Sequence, residues 1–486
     1  MQTASKKVIN GWAMFDWANS VYNLVITTTF FPIYFTSATK AAFKSEQISF
    51  LGRKFENSAL YDYTLGVAYF IIALSYPILT SIADIKGNKK NFTRFFTYMG
   101  SIGCSGLFLF QGENVGYGIV CFMLAAMGYV GSLVFYNAYL PELAAPEDRD
   151  RISAKGYTYG YIGSVLLQII GFALVIIMSE NQGLASRITF LLVGLWWFGF
   201  AQITFSRLPS GQASAHKKGA SIFTEGFSEM KKIYQQVKLM PVLKRYLRGF
   251  FFYSMGVQTV MLAATLFGSK LLHLDDTKLI ITVVIIQLVA IIGAIMMSKL
   301  SSKFGNLKVL MGVVLFWILI CVAAFTIAGK AEPLKVYFDK IDVIKNEETT
   351  LKDADASLTA NSPVIKEKEA AMEVIKKEVA PLQAPIEYGF YGLAVAVGLV
   401  MGGIQSLSRS TYSKLMPETT DTASYFSYYD LTEKIAIVIG MFSFGFIEEL
   451  TGSMKNSVLS LIIFFGLGLV WLLAASSKQK QLSTQA

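Results

Sequence analysis

The sequence predicts an all-α membrane protein of twelve transmembrane helices, arranged as two related halves of six. Three observations support this fold class. Hydrophobic residues make up 53% of the 486 residues and charged residues only 16%, whereas soluble proteins carry about a quarter charged residues. Twelve separate stretches are long and apolar enough to cross a hydrocarbon core of about 30 Å. Short motifs of the first half also recur in the same order in the second half.

The first of these stretches, 12–37, is expected to stay in the protein as a span. It carries an acid, Asp16, and ends without the small-residue cleavage site of a signal peptide. All twelve stretches should be helical, because lipid cannot satisfy the polar groups of an open backbone. The first six are expected to form an N-terminal bundle, 1–207, and the last six a C-terminal bundle, 248–486. The approximate limits are 12–37, 62–83, 93–111, 117–140, 156–179, 187–207, 248–271, 279–300, 308–329, 388–410, 423–447 and 456–476.

Basic residues predict the orientation of the bundle. If both termini lie in the cytoplasm, the inner segments hold about three times as many Lys and Arg residues as the short outer loops. The net charge of +10 follows from the same bias and therefore does not indicate a nucleic-acid partner. We expect a multi-pass protein of the bacterial inner membrane, with both termini in the cytoplasm.

The linker between the bundles, 208–247, contains a further helical pattern. Five apolar residues repeat at helical spacing among lysines, which predicts an amphipathic helix on the inner membrane surface. An ordinary linker helix without lipid contact is the alternative. The five residues are Phe223, Phe227, Met230, Tyr234 and Val237.

A net acidic insert, 331–386, falls within the C-terminal bundle on the outer side. Ser362 and Pro363 are helix-start signals, and an apolar edge from Ile365 to Val379 follows them. We expect one exposed helix flanked by mobile chain. A solvated decoration is the favoured interpretation, and capture of a solute is the alternative.

The two halves share short motifs in the same order. The turn "SIADIKGNKKN" after the second stretch and the turn "KLSSKFGNLKV" after the eighth align through Gly87 and Gly305. The fourth and tenth stretches share the pattern M-G-x-x-x-S-L, and each then reaches Pro-Glu. The distance in sequence between matching residues is larger for the second motif than for the first, and the difference is close to the length of the insert. Paired six-span halves are typical of transporters that rock about a central site.

These motifs also resemble a known family. "SIADIKGNKK" is similar to the loop motif of the major facilitator superfamily, with Asp84, Gly87 and Lys89 matching, whereas Ser302 takes the place of the acid in the second half. "GWAMFDWANSVY", "YNAYLPELAAPEDRDRISAKGYTYGYIGS" and "GGIQSLSRSTYSKLMPE" resemble the vacuole-effluxer-like family of that superfamily. This family includes amino-acid exporters of fungal vacuoles. The resemblance spans nearly the whole chain except the insert. It implies the major facilitator fold, with pseudo-symmetric bundles, and symport or efflux of amino acids or similar solutes.

Charged residues inside the spans are candidates for function, because each costs about 2.5–3.5 kcal/mol at the centre of a membrane helix. Asp16 would lie roughly 12 Å from the middle of its span, toward the cytoplasm, whereas Asn23 lies near the middle. The resemblance implies that spans four, five, ten and eleven meet on the cytoplasmic side. Opposite charges there would pair in one state of a gate and separate in the other, or would form a static network that fixes helix packing. The gate candidates are Asp84, Gly87, Glu142, Arg151, Arg409 and Asp430.

A second set of polar residues is expected to bind the solute. Amides and phenols suit a zwitterion, and a lysine could face its carboxylate, although hydrogen bonds between helices are the alternative for each residue. Asp16 and Glu433 are candidates for carrying a coupled proton, with a permanent salt bridge as the alternative. The solute-binding candidates are Asn19, Asn23, Tyr136, Asn137, Gln405 and Lys434.

Other function classes lack support in the sequence. The chain has no phosphate-binding loop of an ATP-driven pump and no pattern of catalytic or metal-ligating residues, so we expect neither an enzyme nor a cofactor. The three cysteines lie in apolar runs without metal or redox spacing. The expected partners are a small solute and the lipid bilayer, and the expected functional unit is a monomer. A receptor or scaffold, or a transporter of drugs or metabolites, is the alternative.

Overall fold

The computed structural model describes residues 2–210, 222–354 and 362–485. Within them the chain forms twelve helical spans, numbered here in chain order, and the all-α membrane fold expected from the sequence is confirmed. Spans 1 to 6 are Lys6–Val21 with Tyr22–Phe30 and Phe31–Phe43, then Asn57–Lys86, Lys89–Gly106, Val115–Asn137, Arg149–Ile177 and Gln182–Arg207. Spans 7 to 12 are Pro241–Leu266 with Phe267–Leu271, then Asp276–Phe304, Asn306–Ala331, the second part of Pro363–Leu415, Thr422–Thr451 and Met454–Gln485.

Eight of these helices are apolar and long enough to cross a membrane by composition alone. The other four spans, 1, 3, 7 and 11, are interrupted or carry more polar residues. Spans 1 and 7 each change from α-helical to π-helical winding, at Tyr22–Phe30 and Phe267–Leu271. Segments of π-helix are rare and occur frequently at functional sites.

The chain termini and the connections that follow the even-numbered spans lie on one side of the bundle, which we call the terminal face. The opposite side, called the insert face, carries the long insert. Two aligned glycines of the internal repeat occupy corresponding turns on the terminal face. Gly87 ends span 2 with a φ of 61°, and Gly305 ends span 8 with a φ of 86°. Such left-handed conformations suit glycine, and they let each helix reverse directly into the next.

The insert face contains two features that differ from the sequence-based expectation. The first is a small antiparallel hairpin, Gln47–Phe50 paired with Arg53–Glu56, between spans 1 and 2. Leu51 and Gly52 both have positive φ, as a two-residue hairpin turn of the favoured hand requires.

The second difference is in the insert, where one exposed helix was expected. The structure has a helix at Lys335–Ala354 and a second that continues without interruption into span 10, Pro363–Leu415. The apolar edge of the insert does not stop at Val379, because Ile386 and Phe390 extend it and are buried as well. The chain expected to be mobile at 355–361 lies outside the described residues.

The linker helix, Ile222–Leu239, packs against spans 2 and 11 as well as span 7. Val237 is buried against the bundle, and Gln236 accepts a hydrogen bond from the hydroxyl of Tyr425 in span 11. Phe227 and Tyr234, from the same predicted apolar stripe, are more than half exposed. The helix therefore binds the bundle with one face and presents aromatic rings on another. The side chain of Phe223 lies outside the described residues.

Candidate functional site

A buried ion pair joins the two halves near the terminal face. Arg409 of span 10 places its Nη1 atom 3.4 Å from Oδ2 of Asp16 in span 1. The same guanidinium donates hydrogen bonds to Oδ1 of Asn137, at 3.0 Å, and to the side chain and backbone oxygens of Ser153, each at 2.9 Å. The side chains of Arg409 and Asp16 are only 2% and 6% exposed. A proton-coupling candidate and a gate candidate are thus direct partners, and we call them the central pair.

Aromatic rings surround the central pair. The guanidinium carbon of Arg409 lies 4.3 Å from the ring centre of Tyr157, 4.9 Å from that of Trp12 and 5.6 Å from that of Tyr136. Cation–π attraction is strongest where water is excluded, as it is here. Tyr136 also donates a hydrogen bond of 2.8 Å to Oδ2 of Asp16. Removing either charge would therefore leave the other buried without its counterion, which is strongly unfavourable.

A glycine on span 5 makes room for this pair. A Cβ atom at Gly156 would collide with Oδ2 of Asp16 and would lie 2.9 Å from Nη2 of Arg409. The absence of a side chain therefore allows spans 1, 5 and 10 to approach each other around the two charges. The sequence offers no direct signal for this role, because the glycine is one of several in an apolar helix.

One stripe of span 5 faces the second half. Asp150, Ser153 and Tyr161 bind Ser301, Ser406 and Gln405 of spans 8 and 10 respectively, and Tyr157 lies over Arg409. The stripe residues are spaced by three or four positions, as one face of an α-helix requires.

Arg151 is not part of this stripe, because it is one position away from Asp150 and points about 100° away from it. Its side chain is 70% exposed and pairs with Asp148. The hydroxyl of Thr3 and the guanidinium of Arg151 both donate hydrogen bonds to Asp148 and hold the pKa of its carboxyl below its usual range. The structure therefore does not bring Arg151 together with the other gate candidates.

The solute-binding candidates occupy several distinct environments. Gln405 lies one helical turn beyond Arg409 and accepts a hydrogen bond of 3.2 Å from Tyr161. Asn19 is fully buried, and its Nδ2 atom has no hydrogen-bond partner among the described residues. Asn23 is exposed, in the π-helical segment of span 1. Buried amides are normally satisfied, so the free donor of Asn19 calls for water or a solute as its partner.

A second charged cluster lies deeper along span 11. Lys434 has its Nζ atom 3.7 Å from a carboxylate oxygen of Asp430 and 3.7 Å from one of Glu433. Tyr76 of span 2 donates a hydrogen bond of 2.6 Å to Asp430, and Gln258 of span 7 donates one of 3.1 Å to Glu433. Asp430, predicted as a gate residue, thus lies with the solute-binding and proton-coupling candidates of this helix.

Tyr157 connects the two charged clusters. Its phenol interacts electrostatically with Arg409 and Asp16 on one side and with Glu433 and Lys434 on the other. The two clusters are therefore close enough to influence the same side chain. The sequence gives no direct indication of this position, because Tyr157 is one of three tyrosines within "GYTYGYIGS".

The remaining gate candidates form a contact at the turn after span 2, which we call the first latch. Both carboxylate oxygens of Asp84 accept backbone N–H groups at the start of span 11, from Ala423 at 3.1 Å and from Ser424 at 2.8 Å. An acid in this position is favoured by the positive end of the helix dipole. Lys89, which is 1% exposed, binds Glu142 and also lies 3.4 Å from Asp84. Gly87 contributes the turn and not a side-chain contact.

A corresponding contact at the turn after span 8 was not predicted, and we call it the second latch. Asp150, at the start of span 5, accepts hydrogen bonds from Ser301, at 2.7 Å, from Asn306, at 2.6 Å, and from Lys414, at 2.7 Å. Asp150 lies next to Arg151 in the segment "PEDRDRISAK", but only Arg151 was predicted as a gate residue. Helical phase relative to the polar residues Ser153 and Tyr157 would have distinguished the two.

The described residues contain no cluster of three or more His, Cys, Asp or Glu side chains that could hold a metal ion. The site is instead a set of ion pairs, amides and phenols between two helical bundles.

Comparisons with known proteins give the family and the fold of the chain. The model of a family described as "Vacuole effluxer Atg22 like" matches residues 4–150, 145–338 and 371–484. An uncharacterized MFS-type transporter of Bacillus subtilis, YxiO, is 28% identical over 467 residues, which cover 95% of this chain and 93% of that protein. Autophagy-related protein 22-2 of Aspergillus oryzae is 24% identical over 516 residues, which cover 89% and 77% of the two chains.

Solved structures of similar fold are transporters. A bacterial homologue of the iron transporter ferroportin, in an outward-facing state, has a TM-score of 0.60 at 12% identity and covers 97% of this chain and 98% of its own. The Escherichia coli fucose:proton symporter FucP has a TM-score of 0.60 at 13% identity, covering 96% and 97%. The proton:xylose symporter XylE has a TM-score of 0.64 at 10% identity, covering 96% and 94%. The fold is that of the major facilitator superfamily, and the chain belongs to its vacuole effluxer Atg22-like family.

Proposed function

We propose that this protein is a secondary active transporter that moves a small polar solute, with amino acids as the expected class, by alternating access. The observation that carries the proposal is the buried pair of Asp16 and Arg409, which joins the two halves near the terminal face. A buried ion pair is a poor way to gain stability, since desolvation offsets the attraction. It is well suited to a contact that must open and close.

The positions of the contacts between the halves indicate which side of the transporter is closed. The central pair and both latches lie toward the terminal face, and the basic residues of the sequence favour placing this face in the cytoplasm. We therefore interpret the structure as closed to the cytoplasm. The candidate path then leads inward from the insert face, past Asn23, toward the charged clusters.

The solute-binding candidates support a zwitterionic solute. Lys434 offers a cation for the carboxylate of such a solute. Lys434 is already paired with Asp430 and Glu433, so an entering carboxylate exchanges one set of ion pairs for another. Asn19, whose amide donor has no partner among the described residues, and Gln405 would contribute neutral contacts along the same path.

Proton coupling is proposed at Glu433, with Asp16 as a second candidate. When a solute carboxylate engages Lys434, Glu433 loses part of its compensating charge in a buried site. A carboxylate in that situation is stabilised by taking up a proton. Binding of solute and of proton would then favour each other.

Flux into proteoliposomes tests the proposal. A panel of amino acids, sugars, drugs and metabolites is assayed with and without a proton gradient. We expect gradient-stimulated uptake of at least one amino acid. Glu433→Gln should keep solute exchange at equal pH but lose the stimulation, whereas Glu449→Gln, an exposed acid on the same span, should keep both.

Several outcomes would contradict parts of the proposal. Flux of other solutes without amino acids would overturn the solute class. Undiminished stimulation in both Glu433→Gln and Asp16→Asn would overturn the assigned proton sites. Complete absence of flux across the panel, in protein that remains monodisperse, would favour a receptor or scaffold.

A further inference from the structure

A cavity on the terminal face, lined by three lysines, lies outside the proposed solute path. Its volume is about 390 Å³, and it is bordered by the turn after span 8 and by the ends of spans 10 and 12. Three lysines line it, one from each of these elements: Lys308, Lys414 and Lys480. None of the described residues that line the cavity is acidic. Three cations around one cavity repel each other unless an anion lies between them.

The backbone adds to this positive field. Span 9 begins at Asn306, and its N-terminus has no side-chain cap among the described residues. The residues of its first turn, from Asn306 to Lys308, line the cavity. Unpaired N–H groups and the helix dipole both favour an anion at such an end. Gln479 and Ser483, near the end of span 12, supply further hydrogen-bonding groups.

The cavity shares a side chain with the second latch. Lys414 lines the cavity, and its Nζ atom donates to Asp150 across the contact between the halves. Every lining residue belongs to the second half, so the cavity moves with that half as a unit. When the halves separate, Asp150 leaves and Lys414 loses its counterion. An anion in the cavity would replace the carboxylate that has gone.

We propose that this cavity binds a phosphate group and that occupancy favours opening of the second latch. Phosphate fits because it presents several acceptor oxygens to amines, amides and helix N–H groups at once. Asp150 repels such an anion while the latch is closed, so binding is tighter in the open state. By linkage, the anion then shifts the equilibrium toward that state. The phosphate could be the headgroup of an anionic lipid at the membrane surface or a soluble phosphate compound.

The experiment measures opening directly and does not depend on transport. Spin labels are placed at Glu147→Cys and Ser302→Cys, two exposed positions on opposite halves beside the second latch. The three native cysteines are buried. The full chain is studied in phosphatidylcholine nanodiscs with increasing inorganic phosphate, and in nanodiscs containing phosphatidylglycerol without added phosphate. We expect the population with a longer distance between the labels to grow by at least threefold in one arm or in both.

Variants assign the effect to the cavity. Lys308→Gln with Lys480→Gln removes two lining charges without touching the latch, and should lower the apparent affinity at least tenfold. The matched control, Lys303→Gln at the end of span 8 with Lys478→Gln in span 12, removes the same charge from outside the cavity and should respond as the parent does. A response to phosphatidylglycerol alone identifies a lipid ligand, and a response to phosphate identifies a soluble one. An unchanged distance in both arms, or an equal response of the lining variant and the control, would overturn the proposal.

Discussion

The two latches are built on corresponding turns of the two halves, yet the acid and its hydrogen-bond donors have exchanged places. In the first latch, the acid Asp84 lies on the turn and the donors lie at the start of span 11. In the second latch, the acid Asp150 lies at the start of span 5, and the donors include Asn306 on the turn. Each latch therefore has one buried carboxylate, but the half that supplies it is exchanged. The substitution of Ser302 for the acid of the motif does not abolish the second contact.

The difference also affects the expected strength of the two latches. Asp84 accepts two backbone N–H groups at a helix end and has Lys89, which is 1% exposed, beside it. Asp150 is held by side chains, including Lys414, which is 22% exposed. Backbone donors are fixed in place, whereas a partly exposed lysine is screened and must be ordered. The first latch should therefore be the stronger, with the central pair stronger than both.

The largest effect on the open population is expected from Arg409→Gln, which removes the cation of the central pair. Asp16 would remain buried without its counterion, which typically costs about 3–5 kcal/mol. We expect the terminal face to open in most molecules, with longer distances between spin labels at Glu147 and Ser302 and also between labels at Lys86 and Glu418. The double variant with Asp16→Asn should restore part of the closed population. Retention of the closed distances in the single variant would contradict the central role of the pair.

Asp84→Asn should give the next largest effect and should open mainly the first latch. The variant keeps the shape of the side chain but loses its charge, and hydrogen bonds to a charged group contribute about 1.5–3 kcal/mol. We expect the labels at Lys86 and Glu418 to separate more than those at Glu147 and Ser302. Equal changes at both pairs would mean that the latches open only together.

Asp150→Asn should have a smaller effect, on the order of 1 kcal/mol, because its partner Lys414 is partly exposed. Here the labels at Glu147 and Ser302 should respond more than those at Lys86 and Glu418. The ranking is tested by comparing the open populations of this variant and Asp84→Asn under the same conditions. A larger effect for Asp150→Asn would reverse the order of strength argued above.

Arg151→Gln is expected to change the open population and the thermal stability least, by less than about 0.5 kcal/mol. Its ion pair with Asp148 is exposed, and such pairs contribute little. Solute flux in proteoliposomes should also remain within twofold of the parent. A severe loss of flux would restore the gate role that the sequence predicted for this residue.

The sequence was sufficient for the fold because hydropathy, the positions of basic residues and the repeat all pointed to the same architecture. It also selected Asp16 and Arg409, since charges inside apolar spans are costly and few. It did not pair them, because partners separated by nearly four hundred positions leave no local pattern. Asp150 and Arg151 differ only in helical phase, and phase becomes informative only when the neighbouring helices are known.

The insert and the linker show a second kind of difficulty. A local apolar edge predicts that a helix exists but not where it ends, so the continuity of the insert helix with span 10 was missed. The linker stripe combines Val237, which is buried, with Phe227 and Tyr234, which are not. Amphipathic spacing gives a face, and only the tertiary structure decides whether protein or lipid covers it.

The π-helical segment of span 1 has a mechanical consequence. It lies between the α-helical part of the span that carries Asp16 and the second α-helical part, Phe31–Phe43. A π-helical turn holds about one residue more than an α-helical turn, so rewinding one turn rotates one end of the helix against the other by about 100°. The two ends of span 1 can thus rotate relative to each other while the helix remains continuous. A torsional movement at the solute end would be transmitted to Asp16 as a rotation, without any break in the span.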